Sequence, residues 1–428
     1  MVGIDAAAVA RLAEDRIDWR HKGMPAELHG LTVAEALATG PTLFSSGFVG
    51  PFVVLDNDAI DHNIATMAGW CEAKGVKLAP HGKTTMAPQL FQRQLATGSW
   101  AITTANVSQL RVYRAFGVRR ILMANQLVDP AGLRWVAREL ADHPEFEFSC
   151  WADSVRGVEL MTAALEGSAR PVDVIVELGA EGGRTGARDL PTAIAVADAV
   201  AASPVLRLVG VGGYEGALAH DASTEAFAKV DAYLAAVREL AIALTGHFAG
   251  LDQVIVTVGG SAYFDHVADG LTAPWPDDLP VLPVLRSGAY VTHDDGFYRD
   301  ISPLGDHARI KSVSPFRSGL RAWAQVTSKP QPDLALLTIG KRDASFDEGL
   351  PEPQVIRTAD GVKPLTGCTV TAMNDQHSFL AVNGADVQVG DWVGLGLSHP
   401  CTVFDKWQLL PAVSADGETV VDFIRTYF

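Results

Sequence analysis

Val76-Lys77-Leu78-Ala79-Pro80-His81-Gly82-Lys83-Thr84-Thr85 is the stretch on which the reading of this chain turns. A short apolar run, Val76–Pro80, closes on turn residues, and an amphipathic pattern over Pro88–Ala96 follows. That is the order strand, turn, helix. It puts the amine of Lys83 at the mouth of a fold, not on a solvated helix face. A lysine partly desolvated in such a place loses its proton more readily and can attack a carbonyl. A plain surface lysine at a strand end is the commoner case, so the rest of the chain has to decide.

The same unit recurs down the chain. Strand-like runs lie at Val76–Pro80, Trp100–Thr104, Arg120–Ala124, Phe146–Trp151, Val172–Leu178, Leu206–Gly210, Gln253–Val258 and Leu282–Leu285. Helical spacing of apolar residues falls between them, at Pro88–Ala96, Val107–Phe116, Pro130–Ala141, Ser154–Leu165, Leu190–Ala202 and Ser223–Leu244. Pro130 and Pro191 suit first-turn positions of helices. Ser261–Pro280, with three prolines, reads as irregular. Eight buried parallel strands alternating with helices predict an α/β fold, a closed (β/α)8 TIM-type barrel over 46–290. An open doubly wound sheet shares the periodicity and is the alternative. In a barrel the chemistry gathers beyond the C-terminal ends of the strands. There stand Lys83, the loop Gly179–Gly186, the turn Gly212-Gly213-Tyr214-Glu215-Gly216, Gly259-Gly260-Ser261, and Arg286-Ser287-Gly288-Ala289-Tyr290.

Past residue 290 the helical patterns stop. Short runs such as Ala322–Thr327, Leu334–Thr338, Gly367–Ala372, Phe379–Val382 and Trp392–Leu397, set between turn residues, predict a smaller, mostly β domain over 291–428. Phe52–Leu55 is expected to join it, and residues 1–45 read as a largely helical, polar extension. The 428 residues carry a formal net charge of −16, which disfavours nucleic acid and anionic lipid as partners. No run approaches the ~18 apolar residues of a membrane span. The N-terminal residues lack a basic region followed by an apolar one, so a cytoplasmic protein is expected. Cys71, Cys150, Cys368 and Cys401 are too few and too scattered for a disulfide scaffold, which leaves thiols or metal ligands.

The glycine turns after the last three strands allow backbone N–H groups to approach a phosphate, with Ser261 adding a hydroxyl. Glycine after a strand more often means only a tight turn. Arg184 sits in Gly183-Arg184-Thr185-Gly186. Its guanidinium keeps its proton, so facing a pyridine nitrogen it would hold that nitrogen unprotonated. Binding a carboxylate or loop carbonyls is the competing role. His399-Pro400-Cys401 would converge an imidazole and a thiol if the segment is extended, a donor pair suited to zinc. Pro400 then implies an edge or bulge. Two protein ligands leave the other positions to water, substrate or another side chain, and the pattern also arises by coincidence. His293-Asp294-Asp295 is a rival metal cluster, or a set of turn and cap residues. His377 either lines a site or caps a hairpin. His81 shares a side with Lys83 if the backbone stays extended, and either contacts a cofactor ring or buttresses the loop.

Together, Pro80-His81-Gly82-Lys83-Thr84, Gly183-Arg184-Thr185-Gly186, Gly259-Gly260-Ser261, Arg286-Ser287-Gly288-Ala289-Tyr290, Gln376-His377 and His399-Pro400-Cys401 resemble the fold-type III pyridoxal-phosphate enzymes of the D-serine dehydratase and D-threonine aldolase group, relatives of the alanine racemase barrel. The resemblance implies Lys83 as the lysine that binds pyridoxal 5'-phosphate and Arg184 as the pyridine-nitrogen partner. It puts His81 and Tyr214 beside the cofactor, and Gly259, Gly260, Ser261 and the turn Gly288–Tyr290 on its phosphate. It makes His399 and Cys401 the ligands of a divalent metal, expected to be zinc. His-X-Cys resembles the eukaryotic-type D-serine dehydratases, whereas the aldolases tend to carry His-X-Asp. The implied activity is therefore dehydration and deamination of a 3-hydroxy D-amino acid, of the D-serine or D-threonine type, to a 2-oxo acid and ammonia. The alternatives are retro-aldol cleavage to glycine and an aldehyde, a non-catalytic pyridoxal-phosphate protein, or a racemase using a tyrosine such as Tyr290. A homodimer is implied by the resemblance alone. The chain departs from the pattern at Thr85-Met86, at Ser287-Gly288 and over its first ~45 residues.

Overall fold

The computed structural model describes residues 3–428. Eight parallel strands, Lys77–Leu78, Ile102–Thr104, Arg120–Gln126, Glu147–Ala152, Val172–Glu177, Leu206–Gly212, Val254–Thr257 and Val281–Leu285, follow one another in chain order around a curled sheet. The last strand pairs with the first, Leu78 opposite Leu285. The first meets the second through Trp100 N–H donating to the Leu78 carbonyl (2.7 Å) and Thr103 N–H to that of Pro80 (2.8 Å). The ring therefore returns to its start, as the strand count predicts.

Both faces of these strands are covered, so their sequences read as nearly continuous apolar runs. Val172, Val174 and Val176 join the main core beneath the helices, while Ile175 packs in the barrel interior with Leu122, Trp151 and Val209. The connecting helices include Val107–Ala115, Pro130–Asp142, Val155–Ala164, Leu190–Ala202 and Thr224–Ala243. Each starts on a side chain, Asn106, Asp129, Ser154, Asp189 or Ser223, that accepts an otherwise unpaired first-turn N–H. The expected irregular stretch Ser261–Pro280 is corrected. It holds the helix Phe264–Thr272, with Phe264, Val267, Ala268 and Leu271 buried at helical spacing, and its prolines come after the helix ends.

A ten-stranded sheet forms the second part. Phe52–Asp56 pairs antiparallel with Leu320–Gln331 and parallel with Leu409–Val413. The helix Asn57–Lys74, which the periodicity did not predict, leads from that strand into the barrel. The N-terminal residues are less helical than expected. They form four short pieces, Ala6–Ala10, Arg11–Glu14, Ala26–Leu28 and Val33–Ala38, and bury Ile17, Leu28 and Leu43. This segment is tied to both parts of the chain, by Asp5 N–H to the Phe116 carbonyl (2.8 Å) and Leu43 N–H to that of Glu418 (3.0 Å). No helix of the described residues is long and apolar enough to cross a membrane.

Candidate active site

A cavity opens at the C-terminal end of the barrel strands, the end where barrels of this kind place their chemistry. Lys83, His81, Arg184, Tyr214, Gly259, Gly260, Ser261, Gly288, His399 and Cys401 all line it. The sequence between Ser261 and His399 is thus folded back so that distant motifs meet. Tyr290 alone of the expected site residues does not line it. Its ring is buried and its hydroxyl pairs with Gln94 Nε2 (2.9 Å), so the last turn reaches the cavity through Gly288 and Ala289.

Lys83 sits in a 3-10 turn, Gly82–Thr84, and not on extended backbone. A Cβ at Gly82 would lie 2.6 Å from the Tyr113 hydroxyl and 2.8 Å from Ile102, so glycine lets this turn pack against the barrel. Burial, and then the charges of Lys83, Arg286 and Arg184, push the His81 imidazole well below its usual pKa. Its buried Nδ1 has no hydrogen-bond partner among the described residues.

The loop carrying Arg184 is fixed from below. Glu177 accepts from the Thr185 hydroxyl (3.0 Å) and from Gln126 Nε2 (2.5 Å), and Asp153 accepts from Gly186 N–H (3.0 Å). The Arg188 guanidinium donates to the carbonyls of Arg184 (2.5 Å), Thr185 (2.8 Å) and Gly186 (2.9 Å). The Arg184 guanidinium then lies over the Tyr214 ring, 4.6 Å from its centroid, a cation–π contact. Burial pushes the Tyr214 phenol up to about 12.

Gly259 adopts φ +114°, which disfavours other residues. Gly260 N–H donates to the buried Glu215 carboxylate (2.8 Å), so this amide is already engaged. Burial raises the Glu215 pKa. Ser261 Oγ accepts from Ala289 N–H (3.2 Å), and Ser287 Oγ donates to the Gly260 carbonyl (2.7 Å), which ties the two glycine turns together. A Cβ on Gly288 would lie 2.6 Å from the His81 carbonyl oxygen and 2.9 Å from Thr84 Oγ1. The last turn therefore rests directly on the turn that carries Lys83.

Arg286, quoted in its motif but given no role from the sequence, also lines the cavity. It is buried, donates to Thr257 Oγ1 (2.6 Å) and to the Gly213 carbonyl (2.5 Å), and stacks 4.8 Å from the Trp151 ring centroid. Burial lowers its pKa to about 10, against the opposing pull of Glu215 and Glu177. The signal was present, because a lone charge at the end of the apolar run Val281–Leu285 has to find partners when it is buried. Tyr298 also lines the cavity, and nothing in its sequence neighbourhood marks it.

His399 and Cys401 converge, but not by strand alternation. His399 takes a left-handed conformation, φ +48°, and Pro400 begins the short helix Cys401–Phe404. Pro400 is therefore a helix-start residue and not an edge or bulge residue, since its missing N–H is unneeded there. His399 Nδ1 lies 2.6 Å from Asp347 Oδ2, and Asp347 Oδ1 accepts from Thr402 Oγ1 (2.8 Å). With Nδ1 occupied, Nε2 is the nitrogen left for another partner. Cys401 Sγ lies 3.4 Å from Thr84 Oγ1, one residue from Lys83. The hydrogen bond to Cys401, then its charge and that of Asp347, raise His399 to about 9. Burial pushes the Cys401 thiol up, but the hydrogen bonds from His399 and Thr84 outweigh it and the net shift is down.

The other histidine clusters serve the fold. His293 is buried, and burial holds its pKa down to about 4. Asp294 gives both oxygens to backbone N–H groups, and Asp295 accepts from Ser318 Oγ (2.7 Å). His377 is exposed in a hairpin turn, away from the cavity.

The residues fit both implied groups. The cavity presents three cationic side chains, Lys83, Arg184 and Arg286, with no carboxylate among its lining residues, as a multiply anionic cofactor requires. It adds an orphaned imidazole nitrogen and close backbone at Gly288. For a metal, one imidazole nitrogen backed by a carboxylate and one thiolate are zinc-type donors. The described residues hold no group of three or more such side chains.

The alanine racemase N-terminal domain matches residues 55–267, and the "Putative serine dehydratase domain" matches residues 319–413. The chain is 26% identical to the 3-hydroxy-D-aspartate aldolase of Paracoccus denitrificans (strain Pd 1222), over 89% of this chain and 93% of that one. It is 26% identical to the D-threo-3-hydroxyaspartate dehydratase of Delftia sp. (strain HT23), over 86% and 94%. Solved structures of D-threo-3-hydroxyaspartate dehydratase include one with a histidine replaced by alanine (TM-score 0.73, 22% identity, covering 92% and 98%). Another has a cysteine replaced two positions later and is in the metal-free form (TM-score 0.69, 21% identity, covering 89% and 98%). The D-threonine aldolase of Filomicrobium marinum superposes with a TM-score of 0.74 at 23% identity, covering 90% of this chain and 97% of that one.

Proposed function

Because the chain belongs to the alanine racemase-like, fold-type III pyridoxal-phosphate enzymes, we propose that it is a lyase of 3-hydroxy D-amino acids. We propose further that it dehydrates and deaminates a D-serine- or D-threonine-type substrate to a 2-oxo acid and ammonia. When bound, pyridoxal phosphate supplies an electron sink for charge left at Cα, and a divalent metal, zinc in this reading, supplies a Lewis acid at the β-hydroxyl. Lys83 would hold the cofactor covalently, and its free amine would take the Cα proton of a bound substrate. Arg184, steadied on the Tyr214 ring, keeps a permanent cation opposite the pyridine nitrogen. Neutral His81 lies beside the ring. The Ser261 hydroxyl and the close backbone of Gly259, Gly260 and Gly288 receive the phosphate. His399 and Cys401 hold the metal, and Asp347 fixes the imidazole so that Nε2 faces it.

The observation that carries the choice of elimination is the thiol of Cys401, placed with His399 in the cavity of Lys83. D-threo-3-hydroxyaspartate dehydratase, solved with substitutions at a histidine and a cysteine two positions apart, supports the same choice. The aldolase relatives favour the other outcome, so products decide. The purified protein, supplied with pyridoxal phosphate and zinc, is given D-serine, D-threonine and D-3-hydroxyaspartate. Release of ammonia with the 2-oxo acid is expected, lost on adding a chelator. Glycine and an aldehyde without ammonia would overturn elimination in favour of aldol cleavage.

A further inference from the structure

Four backbone N–H groups from two separate segments end on one buried carboxylate. Asp294 is 1% exposed. Its Oδ1 accepts from Gly296 (3.1 Å), Tyr298 (2.9 Å) and Arg299 (3.1 Å), at the start of the helix Phe297–Ile301, which carries Tyr298 into the cavity. Its Oδ2 accepts from His399 N–H (2.9 Å), more than a hundred residues on. His399 is one of three non-glycine residues with positive φ among those described. That conformation is uncommon for an L-residue and persists only where the surroundings impose it. It is also what turns the His399 imidazole toward the thiol of Cys401.

We propose that Asp294 is the positioning residue that presets the His399-Pro400-Cys401 turn for metal before any metal arrives. The inference rests on the reading of His399 and Cys401 as metal ligands. It assigns Asp294 no contact with the metal or the substrate. A carboxylate is needed because both oxygens must accept. In Asp294→Asn the amide carbonyl keeps one set of contacts, but the amide NH2 then faces a backbone N–H, donor against donor. Either the His399 amide or the helix start is left without its acceptor, and a buried donor so orphaned is costly. The turn opens, and the two ligands no longer wait in register.

Zinc affinity is measured by competition against a chromophoric chelator for the native protein, Asp294→Asn and Cys401→Ala, each carrying its cofactor. Outer-shell substitutions of this kind weaken metal binding about 10–100-fold, and that loss is expected for Asp294→Asn with its cofactor absorbance unchanged and its melting transition lowered but still a single cooperative step. Cobalt supplies a second reading, in which the thiolate charge-transfer band persists while the ligand-field bands move. If Cys401→Ala binds zinc as tightly as the native protein, the metal reading itself fails. If Cys401→Ala loses zinc and Asp294→Asn does not, the metal reading stands and the positioning role is overturned. Should Asp294→Asn not fold, hydrogen exchange of the native protein without metal decides. A protected His399 amide supports a preset turn, and an amide protected only after zinc is added overturns it.

Discussion

Gly288→Ala tests the contact between the glycine turn and the lysine turn. The added Cβ would lie 2.6 Å from the His81 carbonyl oxygen, 2.8 Å from His81 Cβ and 2.9 Å from Thr84 Oγ1, where 3.4 Å begins ordinary contact. Restoring 3.4 Å from 2.6 Å takes a shift of about 0.8 Å, and the backbone of one turn or the other must supply it. No flexible side-chain end is available to yield. Overpacking of this kind costs about 1–3 kcal/mol. The displaced residues flank Lys83 on both sides, and a misplacement of roughly 1 Å at a reacting group costs about 100-fold in rate. The expected outcome is weaker cofactor binding together with turnover reduced up to ~100-fold at saturating cofactor. Titration with pyridoxal phosphate followed by absorbance separates the two effects. Gly69→Ala is the control. Gly69 lies in the helix Asn57–Lys74 with nothing within 4 Å of its added Cβ, so that change is expected to stabilise by about 0.5–1 kcal/mol and leave activity alone. Cofactor affinity and turnover equal to the native enzyme in Gly288→Ala would refute the claim that the two turns are mutually supporting.

His293 predicts acid sensitivity. Its folded pKa of about 4 lies below the ordinary 6.5, chiefly through burial and then through the charge of Arg299. Its contribution is therefore present above pH 6.5 and is lost as pH falls toward 4. Linkage puts that loss at about 2 kcal/mol between pH ~7 and ~5. His293→Asn tolerates the left-handed backbone (φ +50°) and should flatten the dependence in denaturant titrations at the two pH values; equal losses in both proteins would count against it. Asp347→Asn removes the charged acceptor from His399 Nδ1 and should weaken zinc binding about 10–100-fold in chelator competition, and unchanged affinity would show that the imidazole needs no such anchor. Lys83→Ala should lose the lysine-dependent absorbance of bound cofactor and release pyridoxal phosphate on dialysis; a variant that keeps the band would remove Lys83 from its role.

The barrel was legible because its strands are buried on both faces and its helices carry apolar stripes, so both periodicities stand in the local sequence. The helix Leu190–Ala202 falls where the spacing puts it. Phe264–Thr272 was hidden by the prolines that follow it, although its buried residues keep helical spacing. In the β domain, Glu352–Thr358 escaped notice because its central partner, Trp392–Gly396, lies far away in sequence, and the local hairpin of Leu409–Val413 with Val420–Arg425 was also missed. At the site, residue types suited to chemistry could be read locally, which is why Lys83, Arg184, Ser261, His399 and Cys401 could be singled out, and the fold brings all five to one cavity. Tyr290 was misplaced because a residue's place in a motif does not fix which way its side chain points. Asp347 and Asp294 were not legible as supports, since each acts through a residue it meets only in the folded chain.

Elimination from a 3-hydroxy amino acid needs a base at Cα and an acid at the oxygen on the next carbon, so the two must be held at a spacing that matches the Cα–Cβ–O unit of the substrate. In this chain they come from different parts of the fold. In the proposed reaction the base would be Lys83, on a turn of the barrel, and the proposed metal pair, His399 and Cys401, follows the strand Trp392–Gly396 of the β sheet. Their separation is set where the parts touch. Cys401 Sγ meets Thr84 Oγ1 at 3.4 Å, and Thr84 is the residue after Lys83. The contacts between the turn Gly82–Thr84 and the helix Cys401–Phe404 thus fix Lys83 and the proposed metal pair relative to each other. Thr84→Val keeps the shape of the side chain and removes its hydroxyl. It should leave cofactor absorbance intact while lowering the rate of ammonia release more than cofactor affinity. An equal fall in both would mean that Thr84 serves the lysine turn alone, and that the spacing of base and acid is set elsewhere.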